Sequence, residues 1–216
     1  MATRRSAIVA SMPTIPRPFA TDDADEETFD EYDEFRPDHL PEPGPFLDGT
    51  DLLTGDDHCA FHRLTRDIFE ERGVYDATFG YNLARLNLDT RHPDAGWRYA
   101  RAPDAASEGS DGADSADVLL AEFTPTTEFC PQSDSLTVGA FRAWNGLADR
   151  HDYDRVTVAV APMHHESTEI NEKLRRLDDR LRNGDGNVKA ANENDNIAKR
   201  MEEVSEKDPD DSSLPF

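Results

Sequence analysis

Apolar residues recur at regular spacing only between about Asp57 and Arg182, and that restriction decides which part of the chain can build a core. Within it, Phe61, Leu64 and Ile68 follow helical spacing up to Gly73, as do Leu136, Ala140, Trp144 and Leu147, whereas Val156, Val158 and Val160 alternate as a half-buried strand does. Ser11 to Thr50 is instead rich in Pro, Asp and Glu, with apolar residues scattered singly. Residues 1–55 therefore read as a mostly disordered acidic leader and 183–216 as a polar tail, with at best a weak helix around Asn196 to Val204.

The elements expected in the middle can be placed in order. Asp57 is a candidate N-cap for the first helix. Tyr81 to Leu88 and Trp97 to Ala100 read as a pair of strands about the turn His92 to Gly96, and Val118 to Phe123 as a further strand. The stretch Ala105 to Ala116 is small, acidic and low in complexity, so the region 102–116 reads as a solvated insertion. Ser133 or Asp134 can cap a helix, the valine strand ends at Pro162, and a last helix runs from Ser167 or Thr168 through Arg182. The order α-β-β-α-β-α over 56–182 predicts an α+β domain, with helices packed on a small mixed sheet of three to four strands.

Charge narrows the partners. The chain carries 46 acidic against 23 basic residues, a formal net charge of -23, and a mean hydropathy of -0.77. A nucleic-acid polyanion is repelled by such a field. Dense carboxylates with few lysines suit a protein kept soluble in high salt, which points to the cytoplasm of a salt-adapted organism. No apolar run reaches membrane-spanning length, and Ala7 to Met12 is too short for an export signal. Two cysteines, Cys59 and Cys130, make no disulfide framework and read as free thiols in a reducing compartment.

The segment Glu122 to Asp134, EFTPTTEFCPQSD, sets Cys130 between a strand end and a helix start. A thiol near the positive end of a helix dipole is favoured as thiolate, the form that attacks disulfides and binds soft metals. Thr126, Thr127 and Ser133 offer hydroxyls to that sulfur or to the helix cap. The plainer alternative is a buried cysteine in an ordinary turn.

The run TPTTEFCPQSDSLTVGAFRAWNGL, then a polar turn and VTVAVAPMHHESTEINEKL, resembles the second half of MIP18-like (DUF59) proteins over Phe123 to Leu174. In that family a Thr-Pro-Thr type strand end precedes a helix-opening cysteine, and a valine-rich strand ends in Pro, His, Ser/Thr and Glu before an Asn-containing helix. The resemblance implies an accessory or carrier protein in iron–sulfur cluster assembly, working with assembly proteins or client apoproteins. It aligns Cys130 with the family cysteine, and His165, Ser167 or Thr168, and Glu169 with the second motif. His164 replaces part of a small pair common there, and is an added candidate.

A stable iron–sulfur cluster takes four thiolates, so this chain is not expected to hold one permanently. A transient cluster or iron site stays open, with Cys130 and His165 as candidate ligands, alone, with a partner or across a homodimer. Two readings from other classes stand beside it: a thiol enzyme using Cys130 with His165 or His164 as base, and an interaction module whose cysteine is inert. His58, Cys59 and His62 share one helix but fall short of a complete metal set, so they read as a surface histidine pair and a core cysteine. His151 reads as a solvated loop residue.

Overall fold

The computed structural model describes residues 28–31, 35–103 and 116–184. Most of the acidic leader, the body of the insertion and the tail beyond residue 184 lie outside the described residues. In chain order the elements are β1 (Asp51–Leu52), α1 (Gly55–Arg72), β2 (Tyr75–Asp76), β3 (Tyr81–Asn82), β4 (Gly96–Arg101), β5 (Val118–Thr124), α2 (Ser133–Gly146), β6 (Arg155–Val160) and α3 (Ser167–Arg182). The main sheet has four strands in the order β1-β4-β5-β6, and β2 and β3 form a separate two-stranded pair. β4 runs antiparallel to β1 and β5, whereas β6 is parallel to β5 and is reached through α2. The expected α+β class is the observed one.

Strand alternation sorts the sheet into two faces. Trp97 and Tyr99 of β4, Leu119, Ala121 and Phe123 of β5, and Val156, Val158 and Val160 of β6 point into one core with the buried faces of α1 and α2. Its centre is aromatic: Trp97 meets Trp144 edge to face at 4.9 Å between ring centroids, and Phe69 and Phe123 each pack at 4.9 Å on one of these tryptophans. Burying these large rings in tilted and edge contacts adds to the apolar stabilisation that the aliphatic core residues supply. α1 stops where Gly73 takes the left-handed conformation at φ 66°, letting the Val74 amide reach back to the Phe69 carbonyl at 2.9 Å.

Three boundaries differ from those the sequence suggests. α1 starts at Gly55, with Thr54 rather than Asp57 at the cap position, and Asp56 and Asp57 instead fill the first turn, where the helix dipole favours them. Tyr81 to Leu88 is not a strand: after Tyr81–Asn82 the chain turns into a 3-10 helix over Leu83–Leu88. The Asn82 side chain drives that turn, accepting from the Ala84 amide at 3.0 Å and donating to the Arg66 carbonyl at 2.9 Å. The antiparallel partner of β4 is therefore β5, across the insertion.

Order also begins before Asp57. Leu40, Leu47 and Leu53 are buried, and β1 pairs with the end of β4. On the second face of the sheet, the Gly44 amide donates to the buried Glu122 carboxylate at 2.6 Å. A Cβ at residue 44 would sit 2.7 Å from that carboxylate, so glycine permits the close approach. Burial pushes the Glu122 carboxyl above its usual range.

Side-chain amides take up backbone groups that the strands leave unpaired. Asn87 accepts from the Trp97 amide at 2.7 Å and donates to its carbonyl at 2.8 Å. Asn145 does the same for Val156 at 2.9 and 2.8 Å, and Asn171 for Val160 at 2.7 and 2.9 Å. Each amide occupies the place of a neighbouring strand and satisfies backbone groups that would otherwise lack partners. Gly96, at φ 122°, makes the first clasp possible, because a Cβ there would collide with Asn87.

Replacing Asn171 with Ala leaves the Val160 amide and carbonyl without their partner, and should lower the unfolding free energy by about 1–3 kcal/mol. Urea titration of the two proteins checks this, with the slope of the transition expected to stay the same.

Candidate functional site

Parallel strands β5 and β6 end side by side, and each leads through a short loop into a helix. The loop 125–132 precedes α2 and carries Cys130, and the loop 161–166 precedes α3 and carries His164 and His165. Loops at the carboxyl ends of parallel strands are where open sheets commonly gather functional groups.

The two loops are tied together by their histidines. His164 is buried, and its Nε2 donates to the Cys130 carbonyl at 3.0 Å while its Nδ1 accepts from the Glu166 amide at 3.2 Å. Both ring nitrogens are thereby used. The amide and Nδ1 of His165 both donate to the Glu128 carbonyl, at 3.0 and 2.8 Å. The Nε2 edge of His165 faces outward, with Glu166 at 3.8 Å. Cys130 is half-buried, its amide directed at the Thr127 carbonyl at 3.4 Å.

The remaining candidates fall around this loop pair in other roles. Ser133 is the first residue of α2 rather than its cap, and its buried hydroxyl has no hydrogen-bond partner among the described residues. Gln132 occupies the cap position, and its side chain bonds Thr78 Oγ1 at 2.6 Å and the Ala77 amide at 3.0 Å, anchoring the loop to the β2–β3 turn. Thr126 and Thr127 lie on the same loop as Cys130, and no described side chain hydrogen-bonds its sulfur. Glu169 is exposed in the first turn of α3. Among the described residues, no group of three or more His, Cys, Asp or Glu side chains is arranged to hold a metal ion.

A second constellation differs from its sequence reading. His58 and His62 are not on the surface: they are 3% and 4% exposed, with rings stacked at 5.6 Å. His62 donates from Nε2 to the Ala84 carbonyl at 2.8 Å and accepts from the Tyr99 hydroxyl at 2.9 Å. His58 packs against Phe35 and Tyr99, and its Nδ1 has no partner among the described residues. Beside them lies a small pocket of about 20 Å³ lined by Phe35, Leu40 and Asn87, room for one water. The sequence signal was the i, i+4 spacing of the two histidines, which continues along the buried side through Thr65 and Phe69.

His151 is likewise not a freely solvated loop residue. It packs 6.4 Å from the Phe61 ring and 6.1 Å from that of Tyr153, and its Nε2 donates to the Trp144 carbonyl at 3.2 Å.

Fold and site together define an α+β domain whose one strand-helix-strand unit presents a cysteine on a clamped pair of loops. The sequence matches the family described as a domain of unknown function (DUF7998) over residues 27–189, and the chain belongs to that family. No curated protein and no solved structure matches it.

This overturns the MIP18-like resemblance, because no MIP18 or DUF59 match is found. The two motifs that suggested it follow a general construction, in which a strand ends at proline and a polar loop enters a helix. The chain uses that construction twice in succession, after β5 and after β6. No helix among the described residues is long and apolar enough to cross a membrane.

Burial holds His58 at a pKa of about 2, helped by His62 and Arg98, and holds His62 at about 4 against the opposing pull of its Ala84 bond. Both are neutral in the folded chain above pH 6.5, and mostly so in the unfolded one. As pH falls below 6.5, the unfolded chain takes up protons that the folded chain refuses, so stability falls by up to about 1.4 kcal/mol per pH unit for each histidine. Urea titrations from roughly pH 7 down to pH 5 should show this slope, and His58→Phe should reduce it by about half.

Proposed function

We propose that this chain is an accessory protein rather than a turnover catalyst, with Cys130 serving as a transient ligand or thiol toward a soft metal, a sulfur species or a partner's thiol. The observation that carries the reading is the use made of the two nearby histidines. His164 spends both ring nitrogens on backbone groups, and His165 spends Nδ1 on the Glu128 carbonyl. A thiol enzyme needs a base in hydrogen-bond reach of its nucleophile, and these contacts favour a held and presented thiol instead.

Iron–sulfur chemistry has no support beyond the MIP18-like resemblance, which the family match overturns. What supports a soft ligand is local: a half-buried thiol on a loop fixed at both ends, with the outward nitrogen of His165 on the adjoining loop. Cys59, the other thiol, is buried on α1.

Cadmium is a suitable probe, because thiolate ligation gives it an ultraviolet charge-transfer band. Titration of the protein should produce that band in the wild type and in Cys59→Ala, and lose it in Cys130→Ala. The Cys130→Ala protein should keep its unfolding free energy within about 1 kcal/mol of wild type, since the sulfur makes no hydrogen bond to a described residue. A band that follows Cys59, or no band at all, overturns the reading.

A further inference from the structure

The loop pair exposes apolar surface that a polyanionic chain has little reason to leave in water. Phe129 is 63% exposed and Met163 44% exposed, and they sit on the two loops that the histidines tie together. Phe129 rests against the His165 ring, 5.0 Å between centroids, so it is held outward rather than folded onto the core. Among the described residues, Tyr75 is the remaining large exposed hydrophobic, and its hydroxyl is engaged by Glu70.

Acidic groups border this surface. Glu128 precedes Phe129, and Glu166 and Glu169 follow Met163 on the adjoining loop and the first turn of α3, all of them exposed. Glu169 suits the helix dipole, but Glu128 lies outside any helix and Glu166 stands at the α3 cap position without making a side-chain cap. Lys173, one turn along α3, is already clasped by Asp134 at 2.8 Å.

We infer that this face docks a cationic protein segment with apolar side chains, one that places its partner against Cys130. The inference rests on the proposed role of Cys130 for its purpose, though not for its chemistry. Exposed aromatic and methionine side chains supply an adaptable apolar anchor, and the carboxylates select a positive rim. A second copy of the chain would bring the same carboxylates and a net charge of -23 against its like, and is disfavoured as occupant.

The probe is a short amphipathic peptide of leucine and lysine, with its leucine–glutamate counterpart as control, followed by fluorescence anisotropy. The lysine peptide should bind and the glutamate peptide should not. Phe129→Ser should weaken binding about tenfold or more. Joint replacement of Glu128, Glu166 and Glu169 by glutamine should weaken it too, whereas neutralising Asp56, Asp149 and Asp152, which lie away from the loops, should leave it within about twofold.

Cys130→Ala should bind the peptide as the wild type does, so failure of the thiol role in the cadmium experiment and failure of the docking face are separable. Absence of binding, equal loss in both charge-neutralised sets, or equal binding of the two peptides overturns the inference. So does a dimer in sedimentation that Phe129→Ser turns to monomer, because the occupant is then a second copy.

Discussion

A strand at the edge of a sheet carries amides and carbonyls that face away from any neighbour, and the described domain has only four strands in its main sheet to share them. Asn145 and Asn171 answer that constraint on the edge strand β6 by pairing with Val156 and Val160, and Asn87 does the same for Trp97 of β4 where the two-residue β1 does not reach, each through both the donor and the acceptor of its amide. The pairing fixes more than the edge. Asn87 holds the strand that places Trp97 in the aromatic core, Asn145 ties the end of α2 to the start of β6, and Asn171 ties the first turns of α3 to the end of β6. The loop containing His164 runs between Val160 and α3, so its geometry depends on the last of these clasps.

Much of the framework is legible in the sequence because it rests on periodicity. The valine strand lies where apolar alternation puts it, the last helix spans the expected Ser167 to Arg182, and α2 begins at the expected serine. What escaped rests on single side chains. Asn82 bends Tyr81 to Leu88 out of a strand by a local hydrogen bond, a choice that alternation of apolar residues does not register. Leu40, Leu47 and Leu53 fill separate positions against the sheet without forming any period, and so an ordered segment resembles an acidic leader. His58 and His62 read as surface residues because a charged helix start suggests solvent, whereas the Phe35 and Tyr99 rings cover them.

The site teaches a related lesson about motifs. Cysteine and histidine in neighbouring loops suggest a nucleophile with its base, and both histidines do reach the cysteine's loop. They reach its backbone. The order of residues along the chain brings the groups together, but which atoms meet is settled by how far each loop turns after its strand. That difference separates a catalytic pair from a brace, and no spacing rule in the sequence encodes it.

β4 leaves the sheet at Arg101 and β5 enters it at Val118, at the end opposite the one where Cys130, Phe129 and Met163 emerge. A strand of seven residues spans about 23 Å, so the two ends of that connection, Arg101 and Val118, lie a full strand length from the loop pair.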